Sequence, residues 1–117
     1  IRLLQWNCLG MRQNFLSILP TIVEFNILCI QETLLKEKSN FRVKGFNIIR
    51  KDITEPGERG VCTLIRNNVT YEIVDCADIR HPSVEFLIIK ILCKDSDPII
   101  VANIYRHTGQ NTPNTFF

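Results

Sequence analysis

Two apolar runs that each end in polar residues, with a helix-length stretch between them, constrain the fold of this chain most. The first run ends at Asn7, and the second, Ile27–Ile30, is followed directly by Gln31 and Glu32. A helical connection between two strands of one sheet makes those strands parallel, so both carboxyl ends reach the same edge. Open α/β sheets bind their ligands at this edge. The pattern therefore predicts a β-α-β unit that brings the Asn7 amide and the Glu32 carboxylate together.

The stretch between these two runs has the apolar spacing of an amphipathic helix. Between Met11 and Phe25, apolar side chains recur at intervals of three and four residues. Asn14 and Ser17 are candidate helix caps. Pro20 counts against one continuous helix, because proline is tolerated well only in a first turn. It favours a turn followed by a shorter helix that starts near Pro20.

Strand patterns dominate the rest of the chain. They predict strands over Phe46–Arg50, Val61–Arg66, Val69–Val74, Val84–Cys93 and Ile99–Tyr105. The turn residues Asn67 and Asn68 predict a hairpin between the second and third of these, and Lys94–Pro98 predicts a hairpin between the last two. With about seven strands and one main helix, the fold class is a β-rich mixture of α and β, because helices are too few to cover both faces of a doubly wound sheet.

Composition indicates where the protein is located more than what it binds. A net charge of +2 in 117 residues is too weak to predict nucleic-acid binding by itself. The five cysteines are odd in number and lack the spacing of metal ligands, which favours reduced thiols and an intracellular protein, nuclear or cytoplasmic. Since no run approaches the ~18 apolar residues of a membrane span, we expect a soluble protein with no membrane partner.

Candidate chemistry lies at three strand ends. Glu32 alone would be weak support, because a strand-end carboxylate is more often solvated or a helix cap. However, Asn7 ends the neighbouring strand, and Tyr105 and Arg106 end the last one. Mg²⁺ prefers oxygen ligands and often takes only one or two protein carboxylates, with water and phosphate as further ligands. The residues thus predict Glu32 as a Mg²⁺ ligand oriented by Asn7, with Tyr105 and Arg106 near a phosphate.

Four sequence strings resemble a known family. They are Leu4–Asn7 (LQWN), Ile27–Thr33 (ILCIQET), Gly57–Val61 (GERGV) and Asn103–Arg106 (NIYR). Their order and spacing are similar to those of the endonuclease/exonuclease/phosphatase superfamily, and most of all to the apurinic-endonuclease-like domain of non-LTR (LINE-type, Jockey-like) retrotransposons. The resemblance implies a four-layer α/β sandwich built on two sheets, and Mg²⁺-dependent phosphodiester hydrolysis that nicks DNA.

The resemblance also implies roles for individual residues. Asn7 matches the first active-site asparagine of the family, Glu32 its metal-binding glutamate, and Tyr105 its active-site tyrosine. Arg106 matches an arginine that commonly follows in the transposon branch, where prolines usually come next instead of His107 and Thr108. The implied cofactor is one weakly held Mg²⁺ ion at Glu32, and the implied partner is DNA.

Two catalytic segments of the family have no counterpart in this chain. They are the Gly-Asp-x-Asn segment with the general base and the Ser-Asp-His segment with the catalytic histidine. We therefore expect residues 1–117 to form a single partial domain, truncated on its C-terminal side. General-base and electrostatic contributions are each worth about 10²- to 10⁴-fold in rate, so the isolated chain is expected to be nearly inactive. Half of a sandwich also leaves a sheet face uncovered, which predicts self-association or a partner.

Two other functions remain open from the sequence. The first is a non-catalytic nucleic-acid-binding remnant or domesticated module, whose phosphate-binding positions would be Arg50, Lys51, Arg59, Arg66 and Arg106. The second is a small-molecule phosphoesterase of the same superfamily. It is less favoured, because the strings QET and NIYR are most similar to the transposon branch.

Overall fold

A computed structural model describes residues 1–107 and has a β-rich mixed α/β fold with two sheets and one helix. The strands are β1 (Leu3–Asn7), β2 (Ile27–Gln31), β3 (Phe46–Lys51), β4 (Val61–Arg66), β5 (Tyr71–Ile73), β6 (Val84–Ile91) and β7 (Ile99–Arg106), and the helix is α1 (Met11–Ile22). The predicted fold class is confirmed. Within the described range, no helix is both long enough and apolar enough to cross a membrane.

The first sheet contains the predicted parallel unit. Its strand order is β1-β2-β4-β3, and β1 runs parallel to β2 with Asn7 paired to Gln31. The second sheet has the order β5-β6-β7, and β6 and β7 form the hairpin predicted around the turn at Lys94–Pro98. Parallel pairing through α1 places the carboxyl ends of β1 and β2 side by side, which positions the candidate site.

The expected hairpin after β4 is wrong. The turn at Asn67 and Asn68 does form, since the Val69 amide donates to the Arg66 carbonyl at 3.0 Å. However, β4 already pairs with β2 on one edge and with β3 on the other. No edge of β4 is left for the following strand, so the chain crosses to the second sheet, where β5 pairs with β6.

The expected division of the helix at Pro20 is also wrong. Helix α1 is continuous from Met11 to Ile22, and Pro20 lies in its last turn. Proline removes the N–H that would bond to the carbonyl of Leu16, but at this position the helix is about to end. Leu16 also lies on the exposed side of the helix. The local cost of proline is therefore tolerated, and packing of the apolar face holds the helix in one piece.

Backbone hydrogen bonds hold the start of α1, and neither of the predicted caps, Asn14 and Ser17, is the N-cap residue. Gly10 precedes the helix with φ 112°, and no side chain caps it. Instead, the Met11 amide donates to the Thr33 carbonyl at 2.9 Å. Asn14 donates its side-chain amide to the Cys8 carbonyl at 2.7 Å. The chain segment that follows β2 thus satisfies the helix start, which ties α1 to the end of β2.

The core has two parts, one on each face of the first sheet. Between α1 and the first sheet lie Met11, Phe15, Ile22, Leu28, Ile30 and Leu64, and between the two sheets lie Ile27, Cys29, Ile65, Ile89 and Ile91. Strand β2 is buried along its whole length, as expected of a strand covered on both faces. The described residues therefore form three layers, in the order helix, sheet, sheet.

The cysteines are all unpaired, and Cys8, Cys29 and Cys62 are buried. Burial raises the pKa of the Cys29 thiol to about 11. It also raises the pKa of Cys62. These thiols are therefore protonated at neutral pH and act as core side chains, in agreement with the prediction of reduced core thiols.

A polar contact joins the two sheets next to the candidate site. The Asn103 side chain on β7 is 1% exposed and donates to the Cys62 carbonyl at 2.8 Å. It also accepts a hydrogen bond from the Gln31 side chain at 2.7 Å. Gln31 in turn accepts from the Gln5 side chain. Because buried amides need all of these partners, the contact fixes the position of β7 over β2.

We predict that Asn103→Ala destabilises the fold. Truncation leaves the buried amide of Gln31 and the carbonyl of Cys62 without these partners, which costs about 1–3 kcal/mol of unfolding free energy. Urea unfolding measures the change. Asn47→Ala is the matched control, because Asn47 is an exposed strand residue and its substitution should cost less than ~0.5 kcal/mol. Equal losses in the two variants would contradict the prediction.

Candidate metal and phosphate site

Asn7 and Glu32 meet at the carboxyl ends of β1 and β2. The Asn7 Nδ2 donates to Glu32 Oε1 at 3.2 Å. Asn7 is exposed, whereas Glu32 is only 8% exposed. The parallel pairing of their strands produces this contact, so the convergence expected from the sequence is present in the structure. An exposed amide that holds a buried carboxylate can orient that carboxylate toward a ligand.

The backbone at Glu32 turns sharply. Its φ of 54° lies in the left-handed region, which a glutamate rarely adopts. Backbone bonds on both sides hold the turn: the Gly10 amide donates to the Glu32 carbonyl at 2.8 Å, and the Leu34 amide donates to the Arg59 carbonyl at 2.9 Å. The neighbouring segments thus impose a strained conformation on the residue that carries the carboxylate.

Tyr105 reaches Glu32 from the second sheet. It lies near the end of β7, and its hydroxyl is close enough to the Glu32 carboxylate for each group to shift the pKa of the other. Burial raises the pKa of Tyr105, and the hydrogen bond to Glu32 and the negative charge of that carboxylate raise it further. The phenol therefore remains a hydrogen-bond donor at neutral pH. Three strands thus supply the Asn7, Glu32 and Tyr105 side chains to one corner of the fold.

Arg59 forms an ion pair in this corner that the sequence did not predict. Its Nη2 lies 3.1 Å from Glu32 Oε2, and its side chain is 41% exposed, against 11% for Glu32. The sequence identified Arg59 only as one of five phosphate-binding positions of the nucleic-acid-binding alternative, not as a partner of Glu32. Its place follows from the antiparallel pairing of β2 with β4, in which Gln31 lies opposite Val61. The residues just before β4 therefore lie beside the end of β2.

Glu85 is a second buried carboxylate that sequence reasoning missed. It is 2% exposed and accepts hydrogen bonds from the backbone amides of Arg59, at 2.9 Å, and Gly60, at 2.8 Å. His107 Nε2 lies 2.7 Å from the same carboxylate, and its ring packs 5.3 Å from the Tyr105 ring. The available signal was a charged residue inside an apolar strand, which needs partners when buried. Glu85 thus anchors the backbone of Arg59 and Gly60 to the second sheet.

Arg106 lies apart from this corner. Successive residues of a strand point to opposite faces of the sheet. Tyr105 pairs with Glu85 on the face toward the first sheet, whereas Arg106 pairs with Val84 and is exposed. The structure therefore brings together Asn7, Glu32 and Tyr105 and does not bring Arg106 to them. The phosphate-binding role expected of Arg106 stays a prediction.

The Glu32 carboxylate is held in its charged form. Burial raises its pKa, but hydrogen bonds from Asn7, Tyr105 and Arg59, together with the charge of Arg59, outweigh burial and lower the pKa below its usual value. Each carboxylate oxygen has further acceptor capacity beyond one hydrogen bond. Glu32 therefore fits a site in which it gives one charged oxygen ligand to a divalent cation, while water and phosphate supply others.

Two cations of the nucleic-acid-binding alternative are engaged within the fold. Arg50 donates to Asp52 at 2.9 Å and to the Ser39 carbonyl at 2.7 Å, and its side chain is 16% exposed. Arg66 donates to the Phe25 carbonyl at 3.0 Å. These guanidinium groups hold loops and strand ends in place, which weakens the case for five phosphate-binding positions.

Comparisons with protein families and with curated proteins find no match. The relation to the endonuclease/exonuclease/phosphatase superfamily thus remains a prediction from the four sequence strings. The geometry of the Asn7, Glu32 and Tyr105 corner stands independently of that relation.

The lowered pKa of Glu32 predicts how stability depends on pH. Because the folded-state pKa lies below the usual value of 4.5, the ionised carboxylate stabilises the fold above that value. This contribution is lost as pH falls through the folded-state pKa. Glu32→Gln should therefore lose less stability than the wild-type chain between pH ~7 and pH ~3 in urea unfolding. An equal loss in both proteins would show that the charge of Glu32 does not stabilise the fold.

Proposed function

We propose that this chain is the N-terminal part of a Mg²⁺-dependent DNA endonuclease domain of a LINE-type retrotransposon. The observation that carries the proposal is the convergence of Asn7 and Tyr105 on the buried, charged Glu32. These are the residues that the resemblance assigns to the active site, and they come from three strands far apart in sequence. The free cysteines and the intracellular setting of such elements favour a nuclear or cytoplasmic location.

Each residue of the corner has a role in the proposed reaction. Glu32 would hold the Mg²⁺ ion, and Asn7 keeps the carboxylate oriented through the hydrogen bond to Oε1. Tyr105 keeps its hydroxyl proton beside Glu32 and would donate a hydrogen bond to a substrate phosphate. When bound at Glu32, a Mg²⁺ ion would supply positive charge to stabilise the phosphodiester oxygens in the transition state.

Proton transfer is the part of the reaction that this chain lacks. The sequence contains no Gly-Asp-x-Asn or Ser-Asp-His segment to supply the general base and the catalytic histidine. Loss of either contribution lowers the rate by about 10²- to 10⁴-fold. The 117-residue chain is therefore half of an active site, able to hold a metal and a phosphate but not to complete hydrolysis.

A plasmid-nicking assay tests this division of roles. With Mg²⁺ present, the isolated chain is expected to convert no more supercoiled plasmid to the nicked form than the Glu32→Ala variant does. Robust nicking by the chain that Glu32→Ala abolishes would overturn the proposed inactivity. The endonuclease assignment itself is tested on a protein extended by the codons after Phe117, which should nick DNA with Mg²⁺ and depend on Glu32. Failure of an extended protein that carries Gly-Asp-x-Asn would contradict that assignment.

We also propose that the outer face of the second sheet mediates self-association. Ile100 and Ile104 point outward from β7 and are 59% and 42% exposed. An apolar sheet surface of this kind tends to find a partner. Sedimentation velocity should show concentration-dependent association that Ile100→Glu weakens. Leu16→Glu, at an exposed position of α1, is the control and should leave association unchanged. A wild-type monomer at high concentration would contradict the proposal.

A further inference from the structure

Arg59 is fixed by its backbone, independently of its side chain. Its amide donates to Glu85 Oε2 at 2.9 Å, and its carbonyl accepts from the Leu34 amide at 2.9 Å. The adjacent Gly60 amide donates to Glu85 Oε1 at 2.8 Å. The ion pair with Glu32 is therefore not needed to hold this loop, so the guanidinium can leave Glu32 while the backbone stays in place.

The two partners of the ion pair differ in their access to solvent. The Arg59 side chain is 41% exposed, and the Glu32 side chain is 11% exposed. Water and salt therefore compete for the pair from the side of Arg59. A guanidinium has five N–H donors in a planar fork that matches phosphate, and the bond to Glu32 engages Nη2. Arg59 therefore presents a phosphate-binding group to solvent directly beside the carboxylate.

A divalent cation and Arg59 compete for the same carboxylate. Glu32 Oε2 lies 3.1 Å from the guanidinium, so a cation bound to Glu32 would have a second positive charge next to it. Glu85 cannot relieve this competition, because its carboxylate already accepts from two backbone amides and lies against His107. An anion bound to Arg59 would draw the guanidinium from Glu32 and neutralise its charge.

From this arrangement we propose that Arg59 is a phosphate-binding residue that exchanges Glu32 for a substrate phosphodiester, and that this exchange opens Glu32 to the divalent cation. Phosphate and metal then bind cooperatively, each raising the affinity for the other by the same factor. The inference rests on the proposed function, because it takes Glu32 as the metal ligand. It adds a device by which the metal is bound tightly only when a phosphodiester is present.

The test is the affinity of the full 117-residue chain for Mn²⁺, measured from the EPR signal of the free ion. Dimethyl phosphate serves as the phosphodiester probe, and a protein-free sample corrects for its own binding of Mn²⁺. Arg59→Gln should bind Mn²⁺ about tenfold more tightly than the wild-type chain, within the usual range of coupling between sites. Dimethyl phosphate should strengthen Mn²⁺ binding by the wild-type chain and leave Arg59→Gln unchanged.

Three further variants separate the possible outcomes. Arg59→Lys keeps the charge and should keep the weak affinity, and Arg2→Gln, in an exposed ion pair with Glu24, should match the wild-type chain. Equal Mn²⁺ affinity of the wild-type chain and Arg59→Gln, with Glu32→Gln unable to bind, would refute the competition while leaving the metal site intact. Mn²⁺ binding that survives in Glu32→Gln would refute the metal site and therefore the proposed function as well.

Discussion

The parallel pairing of β1 with β2 is the interaction on which the site depends. It places Asn7 opposite Gln31, the last residue of β2. Glu32 follows directly and accepts a hydrogen bond from the Asn7 amide. Helix α1 makes this pairing possible, because it returns the chain to the same edge of the sheet. The helix also begins on the segment that follows β2, through the bond from Met11 to Thr33. Helix α1 therefore contributes both to the core and to the position of the Glu32 carboxylate.

The second sheet completes this corner through polar contacts. Asn103 bonds to Gln31 between the sheets, and two residues further along β7 the Tyr105 hydroxyl meets Glu32. Glu85, opposite Tyr105 on β6, holds the backbone that places Arg59. The space between the sheets thus changes along its length from an apolar core to a buried amide contact and then to charged groups, of which Arg59 is the most exposed. The proposed binding of a cation and a phosphate is located at this charged end.

Sequence patterns predicted the parts of the fold in which the paired strands follow one another along the chain. The β1-α1-β2 unit and the hairpin of β6 and β7 followed from apolar runs and turn residues. The hairpin expected at Asn67 failed because strand pairing also depends on which edges of β4 are free, and those edges are taken by β2 and β3. The ion pair of Arg59 with Glu32 and the role of Glu85 were missed, since both depend on how the strands are arranged in the assembled sheets.

The central claim is that Glu32 and its neighbours hold a divalent cation. It is tested most directly by paramagnetic broadening of the NMR signals of the whole chain as Mn²⁺ is added. We expect broadening that is strongest for Asn7, Glu32 and Tyr105 and that disappears in Glu32→Gln. Broadening centred on another part of the chain, or broadening at these residues that persists in Glu32→Gln, would contradict it.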